Sequence, residues 1–301
     1  MVGMAMDLLV DAVVYGNLLS LLSIGLSLTL LTTRVSNFAH GDFATVGIYV
    51  AYTMSVLFGA NPYLFLPFSF VGGLLLGFLV YRVVFEPLRG KASLVTLMIV
   101  SMALDFILRY SVQIYADVLQ RSLGVYTRGI VFKDVNVNFL GSTLPGLLVI
   151  SSAVAWLFLL LLYLFLYKTK VGIAMRAVIE NPSLSEALGI NVKRVYALSW
   201  MLSASFASVA GVFLPFRITV NPDTGFSILL SIFAAVTLGG LESLLGSIVG
   251  AYIIAFSETV GVYYLSQIGL STAYRPAISF ITLALVLLLY PRGLAGLWSK
   301  R

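Results

Sequence analysis

Several kinds of residue are absent or scarce in this chain. Its 301 residues include no cysteine, one histidine and only 10% charged residues. Without cysteine there are no disulfides, no thiol catalysis and no cysteine-ligated metal sites. The ATP-binding pattern G-x-x-x-x-G-K-[ST] is also absent, because the only Gly-Lys pair, Gly90-Lys91, is followed by Ala92. Hydrolase patterns such as G-x-S-x-G and H-E-x-x-H do not occur either. We therefore expect no catalysis, no metal and no cofactor.

Apolar residues dominate the composition. They make up 60% of the chain, and the mean hydropathy is +1.04, far above the values of soluble domains. The apolar runs are long and the polar breaks are short, so each run must satisfy its own backbone hydrogen bonds in lipid, which helices do. The sequence predicts an all-α polytopic membrane protein with residues 1–301 as one domain. The N-terminal stretch lacks the basic region of a cleaved signal peptide, and we interpret it as the start of the first span.

About nine spans are expected from windows of about 20 residues. The segments 40–60 and 225–243 are rich in Gly, Ala and Ser, which suits buried or re-entrant helices more than lipid-facing ones. Whether 225–243 crosses fully stays open at this stage. The candidate spans lie near 10–31, 40–60, 64–85, 93–115, 146–167, 195–214, 225–243, 246–264 and 276–290.

Lysine and arginine predict the orientation, since they accumulate in short cytoplasmic loops. Three regions rich in them are expected to be cytoplasmic, whereas the break at 116–145, with its β-prone sequence, is expected outside, where it could cap an entrance. The net charge of +6 follows from this bias and requires no nucleic-acid partner. The basic residues of the three regions are Arg82, Arg89 and Lys91, then Lys168, Lys170, Arg176, Lys193 and Arg194, and finally Arg292, Lys300 and Arg301.

A polar insert near the middle of the chain, residues 168–195, has the pattern of a short capped helix. Asn181 before Pro182 predicts the N-terminus of this helix. Ser183 and Glu186 have the spacing of a capping box.

The same insert has a predicted end. Gly189 is expected to stop the helix after about two turns, and Asn191 offers an N-cap for the next apolar stretch. This local order exceeds that of an ordinary linker. We interpret the insert as a cytoplasmic surface that meets a soluble partner.

A few ionisable residues fall inside predicted spans, where such residues are candidates for function. Asp105 and Arg109 stand four apart, so on a helix they share a face and can neutralise each other. We favour a structural ion pair for these two residues. Glu258 is a lone acid in the later part of a span, where helix packing and a place in the pathway are both open.

The single histidine, His40, lies between Asn37 and Asp42 at the start of the second span. The spacing of Gly41 and Gly47 predicts close approach of another helix. A lone histidine is more often structural than functional, and these three polar residues are candidates for either pathway or packing.

The segment RVSNFAHGDFATVGIYVAY at 34–52 resembles the beginning of permease subunits of branched-chain amino acid ABC transporters. The resemblance continues through 85–104, the insert at 168–195, 234–258 and 287–297, and so spans nearly the whole chain. It implies the ABC importer permease fold in the cell (inner) membrane of a prokaryote. In that family the central cytoplasmic hairpin docks into a groove of the ATP-binding subunit. The residues of this chain that fall on the hairpin pattern are Arg176, Glu180, Asn181, Pro182, Glu186, Ala187, Leu188 and Gly189.

The resemblance also implies partners: a second homologous permease subunit, two ATP-binding subunits and an extracytoplasmic solute-binding protein. The expected solutes are leucine, isoleucine and valine, with urea or short amides as the alternative. An ion-coupled secondary transporter is a further alternative, for which Asp105, Glu258 or His40 would bind the ion. Two positions depart from the family pattern: Ser101 stands where relatives usually have glycine, and Glu242 interrupts a glycine-rich turn. A weak likeness between 41–90 and 246–293 suggests an internal duplication.

Overall fold

The chain forms a bundle of helices with one small β-hairpin. A computed structural model describes residues 2–139, 142–271, 274–291 and 293–297. The basic tail residues Arg292, Lys300 and Arg301 lie outside the described residues. The elements are α1 (Val2–Thr33), α2 (His40–Phe58), α3 (Leu66–Val80), α4 (Glu86–Leu88), α5 (Leu94–Leu123), β1 (Asn136–Phe139), β2 (Ser142–Pro145), α6 (Gly146–Lys168), α7 (Lys170–Glu180), α8 (Pro182–Ala187), α9 (Val192–Arg217), α10 (Thr224–Gly239), α11 (Leu244–Gln267) and α12 (Arg275–Leu289).

The all-α membrane fold predicted from the sequence is confirmed. In the described part of the chain, 8 helical segments are long and apolar enough to cross a membrane, and α10 is a shorter apolar helix. Together they correspond to the nine predicted spans. The span predicted at 93–115 is too short, because its helix continues to Leu123.

Two helices, α2 and α10, begin inside the bundle. The imidazole of His40, the first residue of α2, contacts the carbonyl oxygen of Leu22, which lies about 16 Å from the end of α1 at Thr33. The backbone N–H of Gly225, in the first turn of α10, donates to the Thr45 hydroxyl of α2 over 3.0 Å. At 16 residues α10 is about 24 Å long, less than the roughly 30 Å of a hydrocarbon core. The segment 225–243 is therefore a partial span preceded by a re-entrant connection.

The two halves of the bundle contain the same series of elements in opposite directions. In each, a long helix (α1 or α9) leads through a connection of equal length, 34–39 or 218–223, to a helix that begins inside. The long helices are antiparallel, since Asp11 bonds to Arg217 and Gly25 lies against Ser203. The structure thus relates α1 and α2 to α9 and α10, and the likeness between 41–90 and 246–293 stays a prediction.

One end of the bundle carries the β-hairpin, and the other carries α7 and α8. Strand β1 pairs antiparallel with β2, and Asp134 beside them accepts hydrogen bonds from the Tyr63 hydroxyl at 2.8 Å and the Leu147 N–H at 2.9 Å. These bonds tie the hairpin over the ends of α3 and α6. At the opposite end, residues 82–91 and 182–193 line one cleft, and Arg34, 240–243 and 293–296 line another. The distribution of basic residues predicts that the end with α7 and α8 faces the cytoplasm.

Candidate functional site

The insert at 168–195 folds into two helices, α7 and α8, where the sequence predicted one. Thr169 caps α7 by accepting the Gly172 N–H over 3.0 Å. Met175 and Val178 are buried on one face of α7, which packs against α1, α6 and α9. The sequence analysis did not predict α7, because this amphipathic helix lies inside the segment that was interpreted as one polar insert. It is the platform that fixes α8.

The predicted start and end of α8 are confirmed. The Asn181 side chain accepts the Leu184 N–H over 3.0 Å, and Pro182 is the first helical residue. Gly189 has φ +83, a left-handed conformation in which its N–H donates to the Glu186 carbonyl oxygen over 2.9 Å. The prediction of a capping box formed by Ser183 and Glu186 is wrong, because Asn181 is the N-cap and Ser183 lies inside the helix.

The charged residues of the insert at 168–195 differ in their surroundings. Arg176 donates from Nε to the Leu166 carbonyl oxygen over 3.1 Å, and its guanidinium lies 4.4 Å from the centre of the Tyr167 ring. It therefore fixes the angle between α6 and α7. Glu180 and Glu186 are exposed. These two carboxylates are available to a partner, whereas the Arg176 side chain is already engaged.

Apolar side chains are exposed at the end of α8. Leu184 is 57% exposed and Leu188 is 74% exposed, and Ala187 between them is also exposed. Leu188 is the C-cap residue, so it projects where the chain reverses direction before α9, which Asn191 caps by accepting the Arg194 N–H. The end of α8 thus presents a small exposed apolar surface on a backbone that is capped at both ends of the helix.

His40 and Asn37 lie at the inner start of α2, where their contacts are structural. The His40 Nε2 atom is 2.8 Å from the Leu22 carbonyl oxygen, and Nδ1 is 3.3 Å from the Ser203 hydroxyl, which joins α2 to α1 and α9. Asn37 accepts the Ala39 N–H at its Oδ1 atom over 3.1 Å and so shapes the turn into α2. The predicted close approach at Gly47 is confirmed, because Gly47 packs on the backbone of Ser208 in α9.

Asp42, Asp105 and Arg109 form a buried charge cluster between α2 and α5. Arg109 donates to Asp105 in the predicted ion pair and lies 4.0 Å over the Phe226 ring of α10. Asp42 is fully buried in the first turn of α2 and faces Asp105, with neither of its oxygens accepting a hydrogen bond. The sequence did not reveal that Asp42 belongs to the pair, since the two acids are 63 positions apart (105 − 42).

Glu258 belongs to a second buried cluster, near the outer end of the bundle. It accepts a hydrogen bond from the Ser279 hydroxyl, and its Oε2 atom lies 3.9 Å from Nε of Arg275. Beside it, Arg217 forms two bonds with Asp11, at 2.6 and 2.8 Å. These contacts join α1, α9, α11 and α12, as the packing alternative for Glu258 predicts. No group of three or more His, Asp or Glu side chains suited to a metal occurs among the described residues.

Comparisons with known proteins agree with this architecture. Residues 8–288 match the family model described as branched-chain amino acid transport system, permease component. The chain is 43% identical to a probable branched-chain amino acid transport permease protein of Methanocaldococcus jannaschii, over 97% of this chain and 93% of that protein. It is 30% identical to the high-affinity branched-chain amino acid transport system permease protein LivH of Escherichia coli K12, over 95% and 94%.

Two more distant likenesses extend the comparison. The ribose import permease protein RbsC of Haemophilus influenzae is 24% identical over 89% of this chain and 79% of its own length. The solved structure of PsaBC from Streptococcus pneumoniae in complex with Fab has a TM-score of 0.52 and 15% identity, covering 97% of each chain. The latter likeness concerns the fold alone.

Proposed function

We propose a function from the premise that this chain belongs to the family of permease components of branched-chain amino acid transport systems. The chain forms part of the pathway by which an ATP-driven importer moves leucine, isoleucine and valine. Members of this family are multi-pass membrane subunits of ABC transport complexes and are not enzymes. ATP hydrolysis therefore belongs to other subunits, in keeping with the missing ATP-binding pattern.

The complex that we propose contains four kinds of subunit. A second homologous permease supplies the other wall of the pathway, two ATP-binding subunits attach at the end that carries α7 and α8, and an extracytoplasmic binding protein delivers the solute at the end with the β-hairpin. The end with the β-hairpin is the expected docking face for a binding protein, because hydrogen bonds that Asp134 accepts from Tyr63 and Leu147 hold the β-hairpin over the helix ends.

Helix α8 is the coupling element in this proposal. The observation that carries it is the exposed tip formed by Leu184, Ala187 and Leu188, held between the Asn181 cap and the left-handed Gly189. A groove in the ATP-binding subunit would receive this tip, with Pro182 fixing the first turn and Glu180 and Glu186 contacting its rim. Arg176 acts through α7 by holding its angle to α6, because its guanidinium is occupied within the chain.

Branched-chain amino acids are the proposed solutes because relatives with that description align over nearly the full length of the chain. The ribose permease aligns at 24% identity, so related permeases act on chemically different solutes. Competition with urea and acetamide therefore belongs in the test.

The proposal is tested by transport in vesicles that contain the complete complex with its binding protein. Labelled leucine should accumulate only when ATP is present on the side of the ATP-binding subunits, and unlabelled isoleucine and valine should compete. Preferential competition by urea or acetamide would assign a different solute. Uptake driven by a proton or sodium gradient without ATP would contradict the proposal and favour an ion-coupled carrier.

A further inference from the structure

A cleft opens at the cytoplasmic end of the bundle between the end of α3 and the start of α9. It has a volume of about 720 Å³ and lies where two spans, Pro62–Leu88 and Val192–Arg217, meet the inner membrane surface. The elbow from Tyr81 to Lys91 forms one wall, and Lys193 and Tyr196 of α9 form the other. Pro182, Ser183 and Glu186 of α8 also line the cleft, but the exposed apolar tip of α8 does not, so the cleft adjoins the proposed coupling surface without coinciding with it.

The wall of the cleft contains a buried hydroxyl that has no partner. Tyr81 is 1% exposed, lines the cleft, and its hydroxyl makes no hydrogen bond to any of the described residues. It begins a π-helical turn, Tyr81–Phe85, a form that is frequent at functional sites. A buried hydroxyl without a partner costs free energy, and an acceptor bound in the cleft would recover that cost.

Positive charge dominates the same cleft. Arg82, Arg89, Lys91 and Lys193 line it against Glu86 and Glu186, which gives a net charge of +2 (four positive less two negative). Arg82 pairs with Glu86. Arg89, Lys91 and Lys193 therefore remain against one carboxylate, that of Glu186.

Arg89 is held in position within this cleft. Its guanidinium lies 3.5 Å from the centre of the Tyr196 ring, and both Arg89 and Arg82 act electrostatically on the Tyr81 hydroxyl. A guanidinium stacked on a ring keeps the N–H groups at its edge free for planar acceptors such as phosphate.

An apolar stripe runs along α3 and ends in the Tyr81–Phe85 turn, which also contributes Tyr81 and Arg82 to the cleft. Val71, Leu75, Leu79 and Val83 recur every four residues on one face and are 51%, 65%, 58% and 64% exposed. The stripe is about 18 Å long, close to the depth of one leaflet of a roughly 30 Å hydrocarbon core. A molecule that fits the cleft and the stripe together has an anionic head and extended apolar tails.

We propose that this cleft binds the phosphate headgroup of an anionic phospholipid of the inner leaflet. Arg89, Lys91 and Lys193 supply the positive charge, the Tyr81 hydroxyl donates to a phosphate oxygen, and the acyl chains lie along the α3 stripe. Basic pockets between spans on the cytoplasmic side are suited to such headgroups, and the inner leaflet attracts them by its surface potential. Pro182 and Ser183 of α8 line the same cleft, so the bound lipid would touch the base of the coupling helix.

The test uses the full-length chain in neutral detergent, without ATP-binding subunits or solute. Short-chain phosphatidylglycerol and phosphatidylcholine are titrated separately, and binding is measured by native mass spectrometry and by the shift of the thermal unfolding midpoint. Inorganic phosphate is titrated as a competitor. We expect phosphatidylglycerol to bind more tightly than phosphatidylcholine, and phosphate at equal concentration to compete poorly because it lacks tails.

Variants locate the binding. Lys91→Gln should weaken phosphatidylglycerol binding roughly fivefold, the effect of about one cation near an anionic surface. Tyr81→Phe removes only the hydroxyl and should weaken it about tenfold, as for a hydrogen bond to a charged group. Lys170→Gln is the matched control, because Lys170 is exposed at the same end of the bundle but does not line the cleft.

Three results would overturn the proposal. Equal losses in Lys170→Gln and Lys91→Gln would mean diffuse surface attraction. Effective competition by inorganic phosphate would assign the cleft to a free anion. Unchanged phosphatidylglycerol binding in both cleft variants would show that the lipid does not bind in this cleft. Because the binding assay needs neither ATP nor leucine, its outcome is independent of the transport test.

Discussion

Gly41 and Gly225 lie against each other where the first turns of α2 and α10 cross inside the membrane. A Cβ atom on Gly41 would lie 2.1 Å from the Gly225 carbonyl oxygen, and one on Gly225 would lie 2.3 Å from the Gly41 carbonyl oxygen. The two backbones are therefore in direct contact, which is possible because neither glycine has a side chain. Since α2 and α10 are the helices that begin inside the bundle, this contact joins the two halves of the fold near its centre.

Alanine at Gly41 should destabilise the protein, because a methyl group has no room at this crossing. We expect a loss of about 1–3 kcal/mol, as for overpacking in a core, measured as a lower thermal unfolding midpoint and lower transport. Gly72→Ala is the matched control, since the nearest atom to its added methyl would be 3.6 Å away, an ordinary contact. Equal midpoints for Gly41→Ala and the parent would show that the two helices separate easily.

The buried cluster of Asp42, Asp105 and Arg109 predicts an order of stability among variants. Arg109→Gln leaves two carboxyl groups facing each other without a cation, whereas Asp105→Asn leaves Asp42 as a counter-ion for Arg109. We therefore expect Arg109→Gln to be the more destabilising, with a loss of about 3–5 kcal/mol, as when one partner of a buried pair is removed.

The double variant Asp105→Asn, Arg109→Gln should regain part of that loss, and thermal unfolding of the purified chain measures all three variants. If Asp105→Asn were as damaging as Arg109→Gln, Asp42 would not act as a counter-ion.

Much of the fold could be predicted because membrane spans depend on local composition. The nine spans follow from apolar runs, and the caps at Asn181 and Asn191 follow from residue type. Helix α7 was missed because it lies inside the polar insert at 168–195, for which a single helix was predicted, although its apolar residues have helical spacing. The Ser183 capping box failed because Asn181 is the N-cap and accepts the Leu184 N–H, so the helix begins at Pro182 and Ser183 lies within its first turn.

Contacts between distant segments could not be predicted. The departures at Ser101 and Glu242 are examples, since both lie against the connection from α1 to α2. Ser101 accepts the Phe38 N–H over 3.2 Å, and Glu242 pairs with Arg34 at 3.2 Å. Arg34 has φ +59, the only positive value outside glycine among the described residues. Ser101 and Glu242 thus contact opposite ends of the segment 34–39, which only the three-dimensional structure could reveal.

The orientation of the chain predicts opposite labelling of its two ends. Single cysteines at Ser183 and Asn136 are suited to the test, because both residues are exposed and the chain has no other cysteine. On intact cells an impermeant thiol reagent should label Asn136→Cys and spare Ser183→Cys, and the pattern should reverse in inside-out vesicles. Labelling of Ser183→Cys alone on intact cells would show that the chain has the opposite orientation in the membrane.

The coupling role of α8 depends on a rigid helix end, and Gly189 provides the sharpest test of it. With φ +83 and no atom within 4 Å of an added Cβ, valine there would be opposed by backbone strain alone, at about 1–2 kcal/mol. Gly124 has φ +66 and equally open surroundings at the other end of the bundle, so Gly124→Val introduces the same strain away from the hairpin.

We expect Gly189→Val to abolish solute-stimulated ATP hydrolysis by the assembled complex while membrane insertion and association with the binding protein persist. Gly189→Asn should retain most activity, because asparagine tolerates the left-handed conformation. Ala187→Trp should also uncouple, since a large ring would block a groove that accepts the exposed tip. If Gly189→Val and Ala187→Trp both hydrolysed ATP like the parent, or if Gly124→Val lost as much activity as Gly189→Val, residues 182–189 would not be the coupling helix.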